Sequence, residues 1–252
     1  MNFDAHIGPI QSKTVPPQGM TSTVTLLKSE RGYFALKHSD RAPFVDWLKR
    51  EAHLLKALES TDLPVPRCIA LDEQTNSATL LMTALPGEPL YALLCRGVSN
   101  PVRLDLFEQF GRTLSAIHRT KLPALLQSDR PWLDRILDEA RANVAQGYAW
   151  PDAPPIHSFA AARPQPMPEV LIHGDYTLDN VLVDAGRITG VIDWGRGDVG
   201  DPRYDLALAT SPQHPEVVSL DEADIKAFYT GYSGERLTRD ECNWFNDLYE
   251  YF

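Results

Sequence analysis

Three short apolar runs, at residues 170–172, 181–183 and 188–192, interrupt a second half of the chain that otherwise reads as helix. A helix pattern at 103–120 presents Leu104, Leu106, Phe107, Phe110, Leu114 and Ile117 on one face, and further patterns lie at 132–145 and 221–252. The first half has the opposite character. Residues 22–28 (STVTLLK) and 32–38 (GYFALKH) read as strands on either side of the charged turn Ser29-Glu30-Arg31. A helix with Phe44, Trp47, Leu48, Leu54, Leu55 and Leu58 at helical spacing follows, and Leu63-Pro64-Val65-Pro66 stops it. Two more strand-like runs, 67–72 and 77–83, lead to Ala84-Leu85-Pro86-Gly87, which reads as a hinge. Residues 150–168 are proline-rich and read as an irregular connection. The pattern predicts an α+β chain: a small β-rich lobe over 1–83, then a larger, mostly helical lobe over 84–252, with a hairpin-like insert at the junction.

Composition narrows the class. At 252 residues, 43% hydrophobic and 23% charged, the chain can bury a real core and is ordinary for a soluble protein. The N-terminus lacks a basic-then-apolar leader, and no apolar run approaches the roughly 20 residues that cross a membrane. Cys68, Cys95 and Cys242 are odd in number and irregularly spaced, so neither a disulfide framework nor a zinc site is expected, and a reducing cytoplasm is. A net charge of −10 argues against nucleic acid as a partner. Residues 201–252 carry 11 acids against 4 bases. Two readings fit that excess: a solvated acidic helix surface, or a site that concentrates a cationic ligand.

The chemistry is concentrated in Leu171-Ile172-His173-Gly174-Asp175-Tyr176-Thr177-Leu178-Asp179-Asn180. An Asp and an Asn, with four residues between them, share one loop between two β segments. That is the spacing of a kinase catalytic loop, in which a carboxylate faces the acceptor hydroxyl and an amide oxygen reaches magnesium. A helix-capping Asp and a turn Asn would look the same in isolation. Thirteen residues past Asn180, however, Gly190-Val191-Ile192-Asp193-Trp194-Gly195 puts a second carboxylate at the end of an apolar strand, before a glycine. Asn180 and Asp193 supply as much protein ligation as magnesium usually takes. Upstream, Lys37 lies within a strand, and fourteen residues on Glu51 lies in the next helix. Each alone reads as a surface charge; in this order they match a pair that holds α- and β-phosphates. The segment Gly19-Met20-Thr21-Ser22-Thr23-Val24 would be the turn over the phosphates, or an ordinary hairpin, since it lacks the glycine-rich pattern.

At these residues the chain resembles the aminoglycoside phosphotransferases, kinase-like enzymes of antibiotic resistance, and in particular the 3′-phosphotransferases. The resemblance runs from Gly19 to Phe252. It rests on His173-Gly174-Asp175…Asn180, on Ile192-Asp193-Trp194-Gly195-Arg196…Asp201…Tyr204-Asp205, and on the acidic-aromatic ending Asn246-Asp247-Leu248-Tyr249-Glu250-Tyr251-Phe252. It implies a two-lobed protein-kinase-like fold, ATP or GTP as donor, and Mg2+ held by Asn180 and Asp193. It further implies Asp175 as catalytic base and Lys37 with Glu51 as phosphate anchor. Ser22 would lie at the phosphate turn, and adenine would lie near Met82, Thr83 and Ala84. Arg196, Glu216, Glu250 and the carboxylate of Phe252 would meet a cationic acceptor. A cytoplasmic monomer is expected.

The chain also departs from the family. Ala35 and Leu36 precede Lys37 where an aromatic often stacks on the nucleotide. A proline-rich segment, with Asp152 and Glu169 as its nearest acids, replaces the acidic substrate loop. His214-Pro215-Glu216 leaves only Glu216 usable after Asp205. His173 is expected to order the loop, and the aromatics of the last helix, Phe252 apart, to be core. Other acceptors that would suit the same Asp, Asn, Asp core are choline, homoserine, thiamine, a fructosamine and a macrolide. The readings from other classes are a nucleotide-binding module without turnover and a metal-dependent hydrolase using His173, Asp175 and Asp193.

Overall fold

A computed structural model describes residues 3–17, 21–122, 126, 128–211 and 217–252. They form two compact units, each taken by itself: Met1–Leu90 with Asn180–Gly197, and Tyr91–Asp179 with Asp198–Phe252.

In the first unit, α1 (Asp4–Ile7) is followed by β1 (Ile10–Thr14), β2 (Thr23–Ser29), β3 (Gly32–Ser39), α2 (Phe44–Leu58), β4 (Cys68–Glu73) and β5 (Ala78–Thr83). The strands build one antiparallel sheet in the order β1-β2-β3-β5-β4. Strand β3 is central, with Lys37 opposite Val24 on one side and Leu80 on the other. Its alternation turns Ala35, Lys37 and Ser39 to the same face, and all three are buried. Phe34, on the opposite face, joins Ile7, Leu27, Ala70 and Leu81 in a small core. Helix α2 buries Leu48, Ala52, Leu55 and Leu58 at helical spacing, and Glu51 shares that buried stripe. The returning segment adds β8 (Val181–Asp184) and β9 (Arg187–Val191); β8 lies between β9 and the two-residue β6 (Glu88–Pro89), antiparallel to both. It ends in a single tight turn, Trp194–Arg196, packed on α2.

The second unit contains α3 (Leu90–Cys95), α4 (Asn100–Arg119), α5 (Trp132–Gln146), α6 (Ile156–Ala161), β7 (Val170–Ile172), β10 (Asp198–Gly200), α7 (Pro202–Thr210), α8 (Glu222–Tyr232) and α9 (Arg239–Tyr249). Strands β7 and β10 pair antiparallel. A large aromatic core, including Trp132, Phe159, Tyr204, Trp244, Phe245 and Tyr251, joins α5, α6, α7 and α9. Helices α4 and α8 cross closely because each has a glycine at the crossing. A methyl group on Gly111 would lie 1.9 Å from the Phe228 carbonyl oxygen, and one on Gly231 would lie 1.8 Å from that of Glu108. The Arg103 guanidinium clamps the start of the pair, bonding both carboxylate oxygens of buried Asp224 at 2.8 and 2.7 Å.

The α+β class stands, with four local revisions. Strand β1 was not anticipated. The expected 221–252 helix is two helices, separated where Ser233 turns into left-handed backbone at φ 58°. The proline-rich connection contains α6. Helix α7 carries no amphipathic period to find, because every residue from Pro202 to Ala209 is buried. No helix among the described residues is long and apolar enough to cross a membrane.

The α4–α8 crossing yields a direct expectation. Gly231→Ala should destabilise the protein by about 1–3 kcal/mol, the range for overpacking a closed interface, read as a lowered midpoint in urea unfolding.

Candidate active site

Lys37 and Glu51 meet inside the first unit. The Lys37 ammonium donates to Glu51 Oε1 and Oε2 at 3.2 and 2.9 Å and to Asp193 Oδ1 at 3.0 Å. The Trp194 N–H donates to Glu51 Oε1 at 3.3 Å, so the glutamate also ties α2 to the turn after Asp193. Burial works against the ammonium, but Asp193 and Glu51 outweigh it and hold the Lys37 pKa above its ordinary 10.5. A raised pKa of this kind stabilises the fold at every pH below that ordinary value. The contribution is lost in strong alkali as pH rises through the folded value.

Asp193 adopts left-handed backbone, φ 64° and ψ 61°, an uncommon state for a residue with a side chain. Its side chain keeps 40% of its exposure, unlike that of Glu51 at 1%. Asn180 is buried, and its carbonyl oxygen accepts the Ile192 N–H at 2.9 Å, which joins the two metal-ligand candidates through backbone. One carboxylate and one amide oxygen form a hard, all-oxygen donor set that fits magnesium, which takes its other ligands from phosphate and water. Among the described residues no cluster of three or more His, Cys, Asp or Glu could hold a metal.

The other first-unit candidates lie in distinct places. Met82 is buried opposite Ala35, and the Ala84 N–H donates to the Tyr33 carbonyl at 2.9 Å. Ser22 is half-buried just before β2. Arg196 stacks its guanidinium over the Trp47 ring of α2 at 4.8 Å.

The catalytic-loop candidate lies in the second unit up to Asp179. Buried Asp205 of α7 anchors its backbone, accepting the His173 N–H at 2.7 Å and the Gly174 N–H at 2.8 Å. His118 of α4 bonds the same carboxylate at 3.1 Å through Nε2 and Tyr232 at 2.9 Å through Nδ1. Gly174 takes φ 78°, which reverses the chain so that the Asp175 N–H donates to His173 Nδ1 at 3.3 Å. Tyr176 stacks on Phe110 and donates its hydroxyl to the Phe110 carbonyl at 2.9 Å. Burial, followed by the nearby Asp205 charge, pushes the Tyr176 phenol well up, so it remains a neutral donor. Asp175 itself is half-buried, and its Oδ1 accepts the Tyr249 hydroxyl at 3.0 Å.

At the end of the chain, Trp150 clasps the terminal residues, its N–H donating to the Glu250 carbonyl at 2.8 Å and its indole N–H to that of Phe252 at 3.0 Å. This clasp comes from the proline-rich segment and brings Asp152 near Glu250. Burial, then the charges of Asp152 and Asp247, raise the Glu250 pKa. Glu169 serves differently, accepting the Trp132 N–H at the start of α5. Glu216 lies outside the described residues, as do Gly19 and Met20 of the phosphate-turn candidate.

A family model described as the phosphotransferase enzyme family matches residues 14–238. The chain belongs to that family. It is a small-molecule kinase of the aminoglycoside phosphotransferase type. An aminoglycoside 3′-phosphotransferase of Streptomyces fradiae is 29% identical over 224 residues, covering 81% of this chain and 80% of the relative. A homoserine kinase of Neisseria meningitidis serogroup B is 28% identical over 242 residues, covering 90% of this chain and 75% of the relative. The fold matches an aminoglycoside 3′-phosphotransferase of type VIII with a TM-score of 0.80 at 23% identity, over 96% of this chain and 93% of that one. An aminoglycoside phosphotransferase of Streptomyces rimosus, solved with ADP and streptomycin, gives 0.71 at 21%, over 99% and 95%. The two-lobed kinase-like class expected from sequence is thereby established.

Sequence reasoning left Tyr249 among the core aromatics and gave Asp205 no role. A fully buried Asp in an apolar helix is a signal that reading could have weighed; a tyrosine near the chain end offers none. The Lys37 pair supplies a stability test. In nucleotide-free protein, Lys37→Met should cost about 3–5 kcal/mol in urea unfolding, because Glu51 is left charged and buried. Adding Glu51→Leu should restore most of that loss.

Proposed function

We propose that this kinase transfers the γ-phosphoryl group of ATP or GTP to a hydroxyl of a cationic aminoglycoside, with the 3′-hydroxyl as the preferred site. The observation that carries the choice of acceptor is the grouping of Asp152, Asp247 and Glu250 at the chain end, where the Glu250 pKa is raised by burial and by its acidic neighbours. Like charges held together in partial burial favour a polycation that relieves them. The similarity to 3′-phosphotransferases points the same way.

In this reading Lys37, held by Glu51, binds the α- and β-phosphates of the nucleotide, and adenine lies by Met82 and Ala84. Asn180 and Asp193 would hold Mg2+, which when bound supplies charge neutralisation on the phosphate oxygens. Asp175 accepts the proton of the acceptor hydroxyl and orients its oxygen for in-line attack. Glu250, Phe252, Arg196 and Glu216 contact the acceptor. Most of the acceleration comes from positioning and from stabilising charge, as is general for phosphoryl transfer. Cytoplasmic location, action as a monomer and a role in antibiotic resistance belong to the same reading.

Homoserine is the second reading, supported by the homoserine kinases among the relatives. Its own carboxylate fits poorly beside three acids, which is why we rank it lower.

Coupled nucleotide turnover with magnesium, against kanamycin, neomycin, choline, homoserine and a macrolide, separates the two. Turnover should depend on kanamycin and neomycin, and Asp175→Ala should lower kcat by about 10²–10⁴-fold, the scale of a lost general base. Turnover with homoserine alone would discard the aminoglycoside, and a fully active Asp175→Ala would discard the base. Glu250→Gln should raise KM for kanamycin several-fold and leave nucleotide affinity unchanged; an unaltered KM would make the acidic chain end mere surface.

A further inference from the structure

We propose that Tyr249 is a positioning residue that orients the carboxylate of Asp175 through its phenol hydroxyl. The inference rests on the reading of Asp175 as the catalytic base and assigns work to a residue to which the family resemblance gave no role.

The loop backbone is heavily determined. Asp205 holds the amides of residues 173 and 174, the Thr177 N–H donates to the Asp175 carbonyl at 2.9 Å, and Tyr176 is stacked and hydrogen-bonded on α4. None of these bonds fixes the Asp175 side-chain torsions. The 3.0 Å bond from the Tyr249 hydroxyl to Oδ1 does. A carboxylate acting as base must be held close to its productive geometry by a partner that is itself held. Tyr249 meets that condition, since it ends a helix whose Trp244, Phe245 and Leu248 are buried and whose start is fixed by the Thr238–Glu241 capping box. Arg203 reinforces that start, bonding Glu241 at 2.9 Å and chelating Asp201. A tyrosine loses few torsions on ordering and reaches farther than a serine or asparagine.

The location matters as much as the bond. Tyr249 immediately precedes Glu250, so the residue that aligns the base and one assigned to the acceptor share one helix end. The titratable groups that bond Asp175 include Tyr249 from α9 and His173 from its own loop, the latter through the Asp175 N–H; Asp247 and Glu250 lie on the same helix end as Tyr249. A phenol that donates to a carboxylate favours its ionised form. Removing the hydroxyl should therefore leave Asp175 easier to protonate as well as less well aimed.

Tyr249→Phe tests this, because it keeps the ring and its packing. Protein labelled with ¹³C at the aspartate carboxyls, the Asp175 resonance assigned by its loss in Asp175→Asn, gives a titration curve that needs no acceptor. In Tyr249→Phe that curve should move to higher pH. With magnesium, ATP and kanamycin, kcat should fall about tenfold, the scale of a lost bond to a charged group, and the acid limb of kcat/KM should rise in parallel. Nucleotide affinity and thermal midpoint should stay close to wild type. An unmoved carboxyl titration, or a Phe variant as active as wild type, would overturn the proposal and return Tyr249 to the core. Full turnover in Asp175→Ala would overturn the underlying base assignment instead. If wild type leaves kanamycin untouched, the acceptor assignment fails while the carboxyl titration still decides the role of Tyr249.

Discussion

A buried ammonium between two carboxylates organises the first unit. Lys37 sits on the central strand between the apolar cross-strand neighbours Val24 and Leu80, and its buried charge is matched by Glu51 and Asp193. That requirement fixes three elements at once: the register of β3, the rotation of α2, and the turn into which the chain passes after β9. In the proposed reading this costly burial aims the lysine at a polyphosphate, with the glutamate holding it and the aspartate as a metal ligand.

The second unit solves a related problem with a different device. A loop cannot be held by apolar packing alone, since its backbone amides need partners. Asp205 supplies them from a helix that is itself wholly buried, and His118 and Tyr232 extend the network into α4 and α8. The close crossing of those helices, possible only with Gly111 and Gly231, therefore bears on the shape of the loop through a short chain of hydrogen bonds. Surface acidity then gathers at the chain end, where Trp150 secures the backbone and the carboxylates are left to meet solvent or a cation.

Much of this was legible in the residues. Lys37 and Glu51 stood out only as a pair, by their order and spacing ahead of the loop, and Asp175, Asn180 and Asp193 by spacing along two short strands. What local pattern could not convey was long-range. Helix α7 has no polar face and so no period. The pairing of β1 with β2 depends on a partner supplied only by the fold, and residues 180–197 return to the first unit although most of the preceding chain belongs to the second. Tyr249 escaped for the same reason: its bond to Asp175 spans 74 positions, and nothing near it in the chain distinguishes it from a core aromatic.

The measurement closest to the central claim is ³¹P NMR of kanamycin incubated with the protein, magnesium and ATP, without any coupling enzyme. The account predicts a new phosphomonoester resonance, coupled to the proton on the 3′ carbon, that grows as the γ-phosphate signal falls. Growth of inorganic phosphate alone, or of a phosphomonoester on homoserine but never on kanamycin, would contradict it.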